Sequence, residues 1–367
     1  MRLGAIVLAC LLGLCLSACG GGRAGASTAA PASGASADQP VTGAASTFLD
    51  RYTTDGGRIQ RTDQGGDTVS EGQAYGMLAA VAVGDRRRFD EIWSWTQKNL
   101  QQPDGLLAFH WAGGRIVDSQ PASDADLDTA RALLVAACRF GEPSLREDAV
   151  RIGHAVVAHE SAKAGPIEIL LPGPWANRDG KLAFNPSYVD PTTLQALAQA
   201  SGDSRFEAVA EGGRRLVDQL TRPLPPDWAS VNAASGQVVP VAAANATAGP
   251  GMFTYDAPRT LVRFAADPDP AGRAAVARAW DVFKETHPQD IVTEHQTNGT
   301  AVGDAHSAVT LVAVAAAAKA AGDTAAMTSL LAEAQQLNDQ NPTYYGSAWV
   351  ALGRLMLTTD RLQPCRR

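Results

Sequence analysis

The sequence holds little that would mark thiol, metal or nucleic-acid chemistry. Its five cysteines include no Cys-x-x-Cys pair, so a structural zinc site or a thioredoxin-like redox motif has no support. The histidines are scattered. His154 and His159 lie five apart, which does not align them on one helical face, and no His-Glu-x-x-His occurs. His110, His287, His295 and His306 read as surface or satisfied loop residues. No Gly-x-Ser-x-Gly elbow is present. A basic excess is also lacking: 31 Lys and Arg stand against 38 Asp and Glu, a formal net charge of −7. That excludes the basic face that phosphate neutralisation needs and argues against nucleic acid, while leaving neutral sugars open as substrates. Valine and isoleucine are thin relative to alanine and leucine, a mix that favours helix over sheet. With 367 residues, 45% of them hydrophobic, the chain can build a large core.

Residues 1–18 read as an address. One Arg precedes a short apolar run, and small residues lead to Cys19. Leu16-Ser17-Ala18-Cys19 resembles the lipobox of bacterial lipoproteins, which implies cleavage before Cys19 and its lipidation there. The implied location is the periplasmic face of a bacterial membrane, and Gly20 after the cysteine points to the outer one. Residues 19–44, rich in Gly, Ala, Ser and Pro, read as a flexible tether. Of the cysteines left after cleavage, Cys138 and Cys365 are permitted to pair, but their spacing does not demand it.

Residues 45–367 show no second linker and read as one catalytic domain. Helical periodicity predicts segments at 45–54, 71–84, 86–100, 124–140, 144–159, 189–201, 203–221, 256–266, 271–286, 304–321, 323–337 and 343–359. The connections alternate in length. Tight ones ("GDRRR", "FGEPS", "SGDSR", "DPDPAG", "AGDTA") follow 84, 140, 201, 266 and 321, and long ones precede 71, 124, 189, 256 and 304. Short loops make antiparallel hairpins, so every second helix points the same way. About six such hairpins in a ring form a double-layered helical toroid with its long loops on one rim. The Ala- and Gly-rich segments 71–84, 124–140, 304–321 and 343–359 suit the inner layer.

Three acidic motifs open three of these helices: Ser70-Glu71-Gly72-Gln73, Ser123-Asp124-Ala125-Asp126 and Tyr255-Asp256-Ala257-Pro258-Arg259. Each also reads as a helix start. Ser70 with Gln73 forms a capping box, Ser123 with Asp126 a near variant, and Pro258 fits a first turn capped by Asp256 or Thr254. If serines do the capping, Glu71 and Asp124 are free for other work. Gly72 and Gly76 each cost about 1 kcal/mol inside a helix relative to Ala, which implies a close approach of sugar or of a neighbouring helix. Carboxylates gathered on one rim are what acid/base glycoside hydrolysis requires.

"SEGQAYGM", "DSQPASDADLDTA", "FNPSY", "PDW" and "YDAPR" resemble, in this order, the motifs of glycoside hydrolase family 8. The likeness spans residues 50 to 358 and implies an all-α, (α/α)6 barrel with a sugar-binding cleft across one rim. By position it implies Glu71 as general acid, Asp256 as base, Asp124 as the carboxylate that binds the sugar at the cleavage point, and Arg259 as the arginine that holds the base. Trp111, Tyr188, Trp228 and Tyr255 would line sugar subsites, with core packing as the alternative for each. Asp190 and Tyr345 also open rim helices. The implied activity is an inverting endo-1,4-β-glucanase that uses water as nucleophile, needs no cofactor and accompanies bacterial cellulose synthesis. Other β-1,4-linked polymers (chitosan, xylan, mixed-linkage glucan) and a non-catalytic glycan-binding lipoprotein remain alternatives.

An inverting pair should stand roughly 6.5–9.5 Å apart with a water between. The helix dipole alone would acidify Glu71. Burial and a nearby Asp124 must therefore raise it, and Glu71 should lie deeper than Asp256.

Overall fold

The computed structural model describes residues 39–246 and 249–365, which belong to one compact unit beginning at Ala37. The expected signal segment, Cys19 and most of the expected tether lie outside the described residues. Thirteen α-helices are present among them: α1 Gln39–Tyr52, α2 Ser70–Val83, α3 Arg86–Asn99, α4 Ser123–Arg139, α5 Pro143–His159, α6 Pro191–Ser201, α7 Arg205–Leu220, α8 Ala257–Ala265, α9 Pro270–Ala277, α10 Trp280–Phe283, α11 Ala308–Ala320, α12 Thr324–Gln340 and α13 Tyr344–Thr358. Two expectations need correction. The first helix begins at Gln39, inside the stretch assigned to the tether. The segment 271–286 is two helices, α9 and the single turn α10.

Burial separates two layers. In α3 the buried residues Phe89, Ile92, Trp93 and Thr96 repeat at helical spacing, the one-sided pattern of an outer helix. In α11 every residue from Ala308 to Ala318 is buried, and α2 is buried nearly all round. The inner helices pack in a ring, α2 on α4, α4 on α6, α6 on α8, α8 on α11, α11 on α13, and α13 back on α2. Outside it α3, α5, α7, α9 and α12 each pair with the inner helix before them, and α1 packs against both α13 and α2. This is the expected (α/α)6 toroid. The glycines of α2 serve the packing: a Cβ on Gly72 would lie 2.6 Å from the Tyr344 hydroxyl and one on Gly76 2.6 Å from Ile59 Cδ1.

A buried ionic tier locks three inner helices. Arg263 of α8 donates to both oxygens of Asp128 on α4, at 2.7 and 2.8 Å, and to Asp190, the N-cap of α6. Arg131 of α4 donates to the same Asp190 at 3.0 Å. Burial pushes the Asp190 carboxyl up, but the two guanidinium groups and Thr193 outweigh it and hold it below its ordinary value. Breaking such a buried pair costs about 3–5 kcal/mol, because one charge is left without compensation. Asp190 is thus a structural ion, not a rim residue free for substrate.

The long connections carry short strands, which helix periodicity does not address. Thr68–Val69, His110–Ala112 and Arg115–Asp118 form one small antiparallel sheet, and Ser161–Ala164 pairs with Ile167–Leu170. Asn177–Arg178, Lys181–Phe184, Trp228–Asn232 and Val238–Val241 make a four-stranded sheet, and Met252–Phe253, Glu294–Gln296 and Ala301–Val302 a second three-stranded one. These ladders satisfy backbone groups in loops that would otherwise hang unpaired at the rim. Cys138, at the end of α4, is disulfide-bonded to Cys365, with the Cα atoms 6.2 Å apart. Among the described residues no helix is long and apolar enough to cross a membrane.

The capping assignments fail. Ser70 is already helical, its hydroxyl is buried without a partner, and Val69 precedes it with no side-chain cap. Val69 is still paired to His110, and the Ser70 amide donates to the Phe109 carbonyl, so the strand itself occupies that end of the helix. Gln73 is a long-range bracket: its Oε1 accepts from the Ile59 amide at 2.6 Å and its Nε2 donates to Thr96 Oγ1 at 2.9 Å. Ser123 donates to the Leu171 carbonyl, and Asp126 accepts from the Leu107 amide. Asp256 occupies the N-cap position of α8 but its side chain makes no cap bond. His295 is also corrected: it is buried between Phe253 and Phe283, its Nδ1 lacks a partner, and burial lowers its pKa.

Candidate active site

Three inner helices that run the same way bring Glu71, Asp124 and Asp256 to one rim, at the starts of α2, α4 and α8. Arg259, one turn into α8 and 3% exposed, joins two of them. Its Nη1 donates to Asp124 Oδ2 at 2.6 Å and its Nη2 to Asp256 Oδ1 at 2.8 Å. The other Asp256 oxygen accepts from Asn185 Nδ2 at 3.0 Å. Both Asp256 oxygens are therefore oriented, while 31% of the side chain still faces solvent.

Glu71 is in a different setting. It is half-buried, and its Oε2 is buried with no hydrogen-bond partner. Burial first, and the Asp124 charge second, push its carboxyl up to about 8, against lowering by its own backbone amide, Arg259 and Arg61. The acidifying pull of the helix start is thus overcome in the direction that a proton donor requires. Asp124 is fully buried, and burial, only partly offset by Arg259 and Arg263, raises its pKa as well. At neutral pH the rim presents a neutral carboxylic acid on α2 and, on α8, a second acidic side chain clamped by an arginine and an amide. That pairing can give a proton to one oxygen and take one from a water.

The aromatic residues fall into three groups. Tyr188, in the turn Pro186–Tyr188, lies under the Arg259 guanidinium at 5.3 Å and against Trp228 at 6.2 Å, and Trp228 meets Trp175 at 6.3 Å. Tyr188, Trp228 and Trp175 thus form a half-buried aromatic run beside the acids. Trp111 stands apart: Arg58 covers one face at 4.8 Å and Trp95 abuts it edge-on at 5.4 Å. Tyr255 is 58% exposed, and its carbonyl accepts from the Tyr345 hydroxyl at 2.9 Å. Both tyrosines line a cavity of about 640 Å³ with Asp63 and His306.

Sequence reasoning missed Asn185, Asp227 and Trp175 at this rim. Asn185 and Asp227 lie inside two of the quoted motifs, "FNPSY" and "PDW", but only their aromatic members drew attention. It also missed Glu160, a 0%-exposed acid whose two oxygens lack partners. Burial first, then Asp126, Asp124 and Asp104, push that carboxyl far up.

Residues 25–359 match the family described as "Glycosyl hydrolases family 8". A "Probable endoglucanase" of Novacetimonas hansenii is 37% identical over 226 residues, 59% of this chain and 64% of that protein. The match therefore spans just under two thirds of that relative. An endo-beta-1,4-glucanase from Acetobacter xylinum superposes with a TM-score of 0.75 at 29% identity, covering 87% of this chain and 98% of the other. A beta-1,3-1,4-glucanase from Paenibacillus sp. X4 superposes equally well, TM-score 0.75, over 90% and 92% of the two chains, but its 20% identity speaks for the fold alone. Family motifs, ring of helices and rim acids agree, and the chain belongs to glycosyl hydrolases family 8.

Proposed function

We propose that the chain is an inverting endo-1,4-β-glucanase acting on cellulose-like β-1,4-glucan. Glu71 protonates the leaving glycosidic oxygen. Asp256 takes a proton from the water that attacks the opposite face of the sugar. Asp124 binds the sugar at the cleavage point, and Arg259 fixes both aspartates. Trp228, Tyr188 and Tyr255 offer rings to the sugar faces, and Trp111 offers the face that Arg58 leaves open. No cofactor is called for. The observation that supports this best is the contrast between the two acids: Glu71 pushed up to about 8 without a partner on Oε2, Asp256 with both oxygens held by donors. The named activity of the Novacetimonas and Acetobacter proteins supports the β-1,4-glucan substrate.

Lipidation at Cys19 would hold the enzyme at the periplasmic face of the outer membrane, where a secreted glucan chain passes, and would link it to the cellulose synthesis machinery. The sequence around Cys19 supports this. A second reading keeps the same mechanism on mixed-linkage glucan, xylan or chitosan, all of which carry β-1,4 linkages that the same pair of acids could cleave. The test is reducing-end release from carboxymethyl-cellulose beside lichenan, xylan and chitosan, with the anomer of the first product followed by NMR. Release from the cellulose derivative with an α-anomer first is expected. Release only from another polymer moves the substrate, and a β-anomer first removes the inverting mechanism.

A further inference from the structure

The start of α8 has an unusual arrangement. Its N-cap residue, Asp256, makes no side-chain cap, because that carboxylate is turned to Arg259 and Asn185. The orphan amides are met from elsewhere in the chain. Asp227 Oδ1 accepts from the amides of Thr254 at 3.2 Å, Asp256 at 3.1 Å and Ala257 at 2.7 Å. Its Oδ2 accepts from the Thr254 hydroxyl. The Asp227 amide in turn donates to the Met252 carbonyl at 2.7 Å, so the strand before the turn is tied to the same residue. A capping side chain normally sits at the helix's own first position. Here the duty is moved to another segment, and the carboxylate of the residue at that position is released from capping and held by Arg259 and Asn185 instead.

We infer that Asp227 is the positioning residue for the catalytic base: it caps α8 in place of Asp256 and so fixes where the Asp256 carboxylate stands. The inference rests on the assignment of Asp256 as base. The same dipeptide supplies the aromatic platform, since Trp228 follows directly and packs on Tyr188, which lies under Arg259. Asp256 is thus gripped from its backbone by Asp227 and from its carboxylate by Arg259, and both grips connect to the rings flanking the cleft. A sugar seated on Trp228 bears on the residue next to the one that holds the base. Both oxygens of Asp227 are taken up by backbone and hydroxyl donors.

The substitutions Asp227→Ala, Asp227→Glu and Asp227→Asn separate positioning from mere stability. Asparagine preserves the Oδ1 acceptor, and its amide can donate to the Thr254 hydroxyl, so Asp227→Asn should restore kcat to within about fivefold of the parent. Alanine orphans three amides, and glutamate pushes the turn outward by one methylene. Both should lower kcat about 100-fold, the cost of misplacing a reacting group by about 1 Å, with KM on cellohexaose changed less than threefold. Circular dichroism and melting temperatures accompany the kinetics, and if Asp227→Ala does not fold, the Glu and Asn pair decides. A kcat for Asp227→Glu within threefold of the parent, or a loss confined to KM, overturns the inference. Asp256→Asn is measured in parallel. If it stays active, the assignment of the base has failed; if it is inactive while the Asp227 series is silent, only the positioning role has failed.

Discussion

Substitution of Glu71 by glutamine tests the proton donor directly. Burial and Asp124 move this carboxyl from its ordinary 4.5 to about 8. At about 1.36 kcal/mol per pH unit, that displacement corresponds to roughly 5 kcal/mol between the protonation states. At pH 6 such a group is about 99% protonated, whereas an ordinary glutamic acid would be about 3% protonated. The parent enzyme should therefore keep its kcat/KM through neutrality and lose it along an alkaline limb centred near pH 8. Glu71→Gln should lose about 10²- to 10⁴-fold on cello-oligosaccharides, the usual worth of a general acid. On an aryl cellobioside whose leaving group needs no proton, the loss should shrink to about tenfold or less. The sign for stability runs the same way. A carboxyl raised in the folded state stabilises below about 4.5, and that contribution is lost as pH rises through about 8. Glu71→Gln should thus melt higher than the parent at pH 9 and no higher at pH 4. Equal losses on both substrates, or an alkaline limb near pH 5, would refute the role of the acid and the physical account of it.

Two further outcomes follow from groups away from the cleft chemistry. Glu160 is raised by burial and by the neighbouring aspartates, so its stabilising share is full below about 4.5 and falls as pH rises. Glu160→Gln should flatten the decline of melting temperature between pH 5 and pH 9, and parallel curves for the two proteins would show that Glu160 is not the group responsible. Reduction of Cys138–Cys365, or its replacement by serines, reopens a separation of 227 residues and removes up to about 5 kcal/mol of loop-closure stabilisation. Because Cys138 lies fourteen residues along α4 from Asp124, about 21 Å at helical rise, the melting temperature should drop while kcat at 25 °C is preserved. A loss of kcat with an unchanged melting temperature would contradict this.

The fold was legible because its strongest signal is repetitive. Apolar periodicity and alternating loop lengths set ten of the twelve segments within four residues of their positions, the exceptions being the first, which starts at Gln39, and 271–286, which is split in two, and those lengths alone imply the ring. What the sequence hid is mostly long-range. The pattern Ser70-x-x-Gln73 matches a capping box, yet Gln73 is drawn inward by amide and carbonyl groups at residues 57–59 and 92, some fourteen or more positions away. The rim strands run to only two to five residues, too short for alternation to show. The site followed the same rule. Glu71, Asp124 and Asp256 stand out as acids at helix starts, and their shared rim follows from parallel helices. Asp227 and Asn185 do not stand out, because their importance lies in which distant amide or carboxylate they meet.

The ring is sealed by its first and last members. Helix α1 packs on α13, and α13 packs on α2, so the seam between residue 52 and residue 344 closes only when both ends of the domain are present. Contacts this far apart in sequence impose slow, late-forming steps on folding. Tyr345, whose hydroxyl donates to the carbonyl of Tyr255 next to Asp256, arrives on that last helix. A nascent chain that holds five of six hairpins therefore still lacks the last member of the ring, and with it the contacts that α13 makes to α1, α2 and α11.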